Sequence, residues 1–387
     1  MKEIKISDTV QYVGVDDKTL DLFEGQYKTP NGISYNSYVI FDEKIAIMDT
    51  VDKRATYEWT RNLEGVLDGR APDYLVISHM EPDHGANVKN LTEKYPEMKI
   101  VSNAKVFTML TQFFHMDFSD RGIVVKEKDT LELGTHTLQF FMAPMVHWPE
   151  VMVTYEQSEK ILFTADAFGK FSTLDIEEDW TDEARRYYIN IVGRYGMQVQ
   201  NLLKKVKTLD VRKICSLHGP VLDGNLEYYL EKYSTWSSYE PEDKGVLIAC
   251  ASIYGNTAEA ARKLEAILKE QGAGRVVFCD LTRDDISQAV ADAFRYDRMV
   301  LASVTYDGHL LPCMEDFLCH LELKNYQKRK VAVIENGSWA PAAGKLIRGY
   351  IEGMKNVEIC ETSVSIRSSA GEEDVKKLGT LAKELLQ

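Results

Sequence analysis

Two imidazoles and two carboxylates fall within six residues in His79-Met80-Glu81-Pro82-Asp83-His84, directly after the apolar run Tyr74-Leu75-Val76-Ile77-Ser78. At alternating positions of an extended turn these side chains can face one space, where without a cation they would repel or stay hydrated. Three more candidates, His147, Asp166 and His218, each lie just past an apolar run. Taken singly, His147 reads as a core or surface histidine and Asp166 as a helix cap. Together the seven point to two metal ions. Trp148 adjoins one candidate and is either ordinary core or a wall of the metal pocket.

A second set of residues suits an anion. Ser252-Ile253-Tyr254-Gly255-Asn256-Thr257 lies between an apolar strand and a helical pattern. Hydroxyls at 252 and 257, with free amides at a helix start, make a phosphate cradle, and Gly255 lets the backbone come close. The bland alternative is a helix cap at Asn256 or Thr257. Ser303-Val304-Thr305-Tyr306-Asp307-Gly308 and Asn336-Gly337-Ser338-Trp339 follow two further apolar runs. Both sit at carboxyl ends of strands, where open α/β sheets bind ligands, and Tyr306 or Trp339 could stack on a ring.

The elements that must position these groups form two domains, expected at 1–240 and 245–387, with the polar stretch 233–245 between them. Length and a hydrophobic content of 44% over 387 residues allow two cores. In the first part, strands at Ile33–Phe41 and Ile45–Met48 precede a helix with Trp59, Leu63, Val66 and Leu67 on one face. A second helix carries Val106, Met109, Leu110 and Phe113, and a long helical stretch covers about 183–206. This pattern predicts two packed sheets with outer helices. In the second part five short apolar strands alternate with helices, which predicts a doubly wound parallel sheet.

Sixty acidic against 46 basic residues give a net charge of −14, which disfavours nucleic acid as a partner. The start Met1-Lys2-Glu3-Ile4-Lys5-Ile6 does not read as a signal peptide, and no run reaches membrane-spanning length. The six cysteines are scattered without a Cys-x-x-Cys pair, so a cytoplasmic protein with buried thiols is expected, and no fused iron–sulfur or rubredoxin module.

Residues 33–220 resemble the metallo-β-lactamase superfamily, whose metal turn reads His-x-His-x-Asp-His. Glu81 replaces the second histidine, and a carboxylate there shifts preference from zinc toward iron or manganese. The loop at 252–257 resembles the FMN-phosphate loop of flavodoxins, with Tyr254 in place of its middle threonine. The two halves together resemble the flavodiiron proteins. That resemblance implies an αββα metallo-β-lactamase-like sandwich and a flavodoxin-like five-stranded sheet. It implies one iron on His79, Glu81 and His147, a second on Asp83, His84 and His218, and Asp166 as the bridge. It also implies FMN, reduction of O2 to water or of NO to N2O, and a separate rubredoxin-type donor. A head-to-tail homodimer, or a dimer of such dimers, would bring the FMN of one subunit near the irons of the other. Many members carry a histidine in the loop that Asn31 occupies, so Asn31 would alter proton delivery or the balance between gases. The rivals are a nitric oxide reductase in its main role, a zinc hydrolase of the lactamase superfamily, and a flavoprotein electron carrier with a vestigial metal site.

Overall fold

Apolar residues recur at every second position in the N-terminal strands, as in Tyr38 and Ile40, Ala46 and Met48, and Leu138 and Phe140. A period of two puts each set on one face of a sheet, and two such faces leave water by packing together. The computed structural model describes residues 4–387, and among these it forms two six-stranded sheets in the N-terminal part. The first runs Val10–Tyr12, Tyr38–Ile40, Ala46–Met48, Tyr74–Val76, Lys99–Ser102, Gly122–Val124. The second runs Thr130–Glu132, Thr137–Met142, Met152–Glu156, Ile161–Phe163, Lys213–Cys215, Leu222–Asp223. Tyr38, Ile40, Met48 and Val76 from one sheet share a core with Leu138, Phe140, Met152 and Phe163 from the other. Helix Thr56–Leu67 buries Trp59, Leu63 and Leu67, each worth about 1.5–3 kcal/mol.

Strand direction explains why distant residues meet. Thr137–Met142 is antiparallel to Met152–Glu156, which is antiparallel to Ile161–Phe163, which is parallel to Lys213–Cys215. The first, third and fourth of these strands therefore point the same way. The chain leaving them carries His147, Asp166 and His218 in turn. In the facing sheet Tyr74–Val76 leads into His79-Met80-Glu81, and the expected extended turn ends there: Asp83 and His84 lie on the short helix Pro82–Gly85, started by Pro82.

Two expectations change in detail. The single strand at 33–41 is two strands, Ile33–Tyr35 and Tyr38–Ile40, in different sheets. The break falls at buried Asn36, whose amide donates to the carbonyls of Ser216 (2.8 Å) and Gly219 (2.7 Å). The helical stretch at 183–206 is two helices, Trp180–Tyr187 and Gly196–Val206, joined by a wide turn at Tyr188–Val192 and a tight one at Gly193–Tyr195. A β-carbon on Gly196 would lie 2.3 Å from the Ser237 carbonyl oxygen, so that helix start requires glycine.

By internal contacts, one unit comprises the chain up to Tyr188 with Met197–Ser234; the other comprises Ile189–Gly196 with Thr235–Gln387. Helix Leu226–Ser237 contains the crossover between them. The second unit holds a mainly parallel sheet in the order Arg275–Asp280, Asp243–Ala251, Tyr296–Tyr306, Lys330–Asn336, followed by Glu358–Ile359 and Val364–Ile366, which both pair with Lys330–Asn336; the short antiparallel strand His309–Leu310 folds back on Tyr296–Tyr306, so there are seven strands where five are expected. This is the doubly wound flavodoxin-like arrangement that the alternating pattern predicts. Helices Asn256–Glu270 and Glu372–Leu386 close one face through Leu264, Leu268, Leu378, Leu381 and Leu385.

Candidate metal centre and flavin pocket

Buried carboxylates and imidazoles must neutralise one another or find a cation. The structure gathers His79, Glu81, His147 and Asp166 in one cluster and Asp83, His84 and His218 in a second, with candidate ligand atoms within 4.8 Å of one another in each. Asp166 faces both. Its Oδ2 lies 2.9 Å from His147 Nε2 and 3.4 Å from His79 Nε2, while its Oδ1 lies 3.6 Å from His84 Nε2 and 4.0 Å from His218 Nε2. Glu81 Oε2 is 2.9 Å from His147 Nε2, and Asp83 Oδ2 is 3.2 Å from His218 Nε2. Two donors at right angles around one ion, each about 2.1 Å from it, stand about 3 Å apart. His84 Nε2 and His218 Nε2 are 3.0 Å apart.

Electrostatics make the same argument. Burial alone would raise the Glu81 carboxyl, but His147 and His79 beside it hold it down to about 2. Burial and the neighbouring Glu81 charge push Asp83 up to about 6. Burial opposes charge on His147, yet Asp166 and Glu81 lift it to about 10. His84 is driven well below its ordinary value by burial and by His218. His79 Nε2, both Asp83 oxygens and Asp166 Oδ1 are buried without a hydrogen-bond partner. Side by side, groups raised and depressed in this way are held in opposed charge states that bound cations would relieve. Each cluster offers two histidines and a carboxylate, and Asp166 lies within reach of both. This mixed nitrogen and oxygen set fits iron.

Neighbouring residues orient the donors. His218 Nδ1–H donates to the Ser34 carbonyl at 2.7 Å, which turns the Nε2 lone pair toward the cluster. Gly219 N–H donates to Ser34 Oγ at 2.7 Å, and Tyr38 O–H donates to the Ser216 carbonyl at 2.7 Å. Asp49 Oδ1 accepts from Ser78 N–H at 2.7 Å, next to His79. Tyr35, Phe23 and Tyr187 pack their rings 5.5–6.1 Å from that of His218 and keep water from it. Trp148 is half-buried, its ring edge-on to His79 at 6.4 Å and to His147 at 6.5 Å. Asn31 is exposed, with its carbonyl accepting from Thr173 N–H at 3.1 Å. Among these neighbours Ser34, Asn36 and Asp49 carry no local sequence signal, because their partners lie far away in the chain.

In the second unit a cavity of about 530 Å³ is lined by residues from all three loops at 252–257, 303–308 and 336–339, and also by Ala340 and Ser368. Gly255 and Ser303 are not among its walls. Gly255 instead supplies a φ of +93° just before helix Asn256–Glu270. The N-cap residue Gly255 has no side chain to cap that helix, so the first-turn amides of Asn256 and Thr257 point at the loop and suit an anion. Ser252 Oγ accepts from the amides of Gly255 (3.2 Å) and Ala258 (3.3 Å), shaping the loop. Ser303 is buried behind the cavity, its hydroxyl donating to the Val304 carbonyl. Thr305 Oγ1 accepts from the amides of Ala342 and Ala343. A cavity of this volume, lined by hydroxyls, amides and the aromatic residues Tyr306 and Trp339, has the size and mixed polarity of a small-ligand site.

Residues 33–219 match the family model described as ODP family beta lactamase. The anaerobic nitric oxide reductase flavorubredoxin of Aliivibrio fischeri is 30% identical over 349 residues, 87% of this chain and 70% of that protein. The solved rubredoxin oxygen:oxidoreductase of Desulfovibrio gigas superposes with a TM-score of 0.93 at 26% identity, covering 99% of this chain and 98% of the other. The flavodiiron protein of Giardia intestinalis shares the fold at a TM-score of 0.93 and 24% identity, over 100% of this chain and 97% of that one. With a lactamase-like sandwich that gathers seven metal-type donors, a flavodoxin-like sheet with a phosphate-ready loop, and relatives matched across both halves, the chain belongs to the flavodiiron protein family.

Proposed function

We propose that the protein is an FMN- and diiron-dependent oxidoreductase that reduces O2 to water, NO to N2O, or both, with electrons from a rubredoxin-type donor. The observation that carries this reading is Asp166, whose two oxygens face two separate clusters of donors. His79, Glu81 and His147 would hold one iron, Asp83, His84 and His218 the other, and Asp166 would bridge them. Two ferrous ions and a reduced FMN together supply the four electrons that O2 requires. The chain's own part is orientation and exclusion. Ser34 fixes the His218 tautomer, Asp49 holds the turn beside His79, and the rings of Tyr35, Phe23, Tyr187 and Trp148 keep the centre dry. The loops at 252–257, 303–308 and 336–339 would seat FMN, phosphate first.

The named activities of the two relatives, one on oxygen and one on nitric oxide, support both gases as substrates. A zinc hydrolase is disfavoured by Glu81 and has no use for the flavin pocket. Tyr254 and Trp339, exposed at the rim of that pocket, support a head-to-tail homodimer in which a second chain covers them. Six free cysteines, four of them buried, support a reducing, cytoplasmic setting. The test is anaerobic purification, quantification of iron and FMN, and separate O2 and NO consumption with reduced rubredoxin. About two irons and one FMN per chain with rapid gas uptake are expected. Zinc without flavin, and no uptake, would overturn the reading.

A further inference from the structure

The loop that delivers His147 and the turn that delivers His79 and Glu81 come from opposite sheets, so something must set the distance between them. Two hydrogen bonds do. Met152 N–H donates to the Ser78 carbonyl at 2.9 Å. Met80 N–H donates to Glu150 Oε1 at 2.9 Å. The first joins two backbones and survives any substitution. The second depends on one side chain, which reaches the residue lying between the donors His79 and Glu81. The loop bearing Glu150 is itself closed by Ala143 N–H on the Val151 carbonyl (2.8 Å) and held from outside by Asn103 Nδ2 on the Glu150 carbonyl (2.6 Å). Glu150 is 2% exposed, and its Oε2 is buried with no hydrogen-bond partner.

A glutamine would serve equally well as an acceptor for Met80 N–H. A carboxylate adds a charge, and one oxygen of that charge is left without a donor in the protein interior. Such a group is costly unless a cation lies close by. We propose that Glu150 is a positioning residue for the His79, Glu81 and His147 half of the metal centre. It ties the two donor-bearing loops together, and its charge favours the cation in that half over the one in the other. This inference rests on the two-metal reading of the site.

The test uses Co(II) titration of the metal-free full chain, followed by the visible absorption of the bound ion. Glu150→Gln and Glu150→Ala are each made in three backgrounds: the unmodified chain, His84→Ala and His147→Ala. Residues that support metal ligands in this way typically change affinity about 10–100-fold. In the unmodified chain, Glu150→Ala is expected to weaken one of the two binding steps by that factor, with a smaller loss for Glu150→Gln, which keeps the hydrogen bond. In the His84→Ala background, where the His147 half remains, the loss should persist. In the His147→Ala background it should vanish. Equal binding by Glu150→Gln, Glu150→Ala and the unmodified chain overturns the proposal and leaves the two-metal reading intact, as does a loss that is the same in both histidine backgrounds. Failure of the unmodified chain to take up two ions overturns both. Where Glu150→Ala does not fold, Glu150→Gln carries the same comparison.

Discussion

All seven donors of the metal centre are 8% exposed or less, whereas Tyr254 and Trp339 at the rim of the flavin cavity are 93% and 86% exposed. The metal centre is made of side chains that converge from four loops and are held by Ser34, Asn36 and Asp49. The second cavity is lined by three loops at strand ends, one of which opens a helix, with Tyr254 and Trp339 standing exposed at its rim. A site of buried charges has to be complete before its ligand arrives, since each group left alone is costly. A site of free amides at a helix end carries no such penalty, because water satisfies them until an anion comes. Damage to the first should therefore be steep and should spare the second, while damage to the second should be graded.

The steepest break is Asp166→Ala. It removes the one side chain common to both clusters, so gas reduction should fall by more than about 100-fold and iron content should drop. FMN content should stay near one per chain. Loss of FMN along with iron would show that the two sites are coupled in folding.

Proton release separates the sites next. In the metal-free chain His147, lifted to about 10 by Asp166 and Glu81 against its burial, is protonated at neutral pH, and His79 is shifted in the same direction. A cation must displace those protons, so its affinity should rise with pH by about tenfold per unit for each proton released. The fold responds with the opposite sign. The His147 value is above its unfolded one, so its contribution to metal-free stability is complete below pH 6.5 and is lost as the pH rises through about 10. Melting with and without Co(II) should thus show a wider gap at pH 9 than at pH 6, and calorimetry in two buffers should count the protons. FMN binding should show no such slope over that range.

Asn36→Ala attacks the metal centre from behind. It strips a donor from two buried carbonyls that flank His218 and should cost about 2 kcal/mol or more of stability. Denaturant unfolding measures that loss. Metal titration should show the His218 half weakened, while an unchanged titration would mean that Ser34 alone suffices to set His218. On the flavin side, Gly255→Ala puts a side chain at a φ of +93°, where the left-handed cost of about 1–2 kcal/mol corresponds to roughly tenfold weaker FMN binding.

The same contrast governs what could be read from the sequence. The metal-type residues were legible because chemistry demands those residue types, and four of them are neighbours in the chain. The three loops that line the second cavity were legible by position, at the ends of apolar strands. What escaped was whatever depends on a distant partner. Asn36 splits an apparently continuous strand at 33–41 because Ser216 and Gly219 claim its amide. Gly196 starts a new helix because the Ser237 carbonyl leaves no room for a β-carbon. Phe113, grouped with Val106 and Leu110 in the helix pattern, is 45% exposed while those two are buried. His136, with no metal-type neighbour in the chain, is buried between Glu156 and Thr9.

The finest test of the contrast is Trp339. Its carbonyl accepts from Arg367 Nη1 at 3.2 Å, so the backbone of the rim is held while the ring stands in solvent. A ring so exposed contributes little to the fold, and the stability of Trp339→Ala should lie within about 0.5 kcal/mol of the unmodified chain. If the ring stacks on the flavin, that contact is worth about 0.5–1.5 kcal/mol, so Trp339→Ala should weaken FMN binding roughly threefold to tenfold and Trp339→Phe should restore most of it. Iron content should not move in either variant. Unaltered FMN affinity combined with a shift toward monomer would give the ring a different task, covering the contact with a second chain. The rim would then belong to the interface rather than to the cofactor.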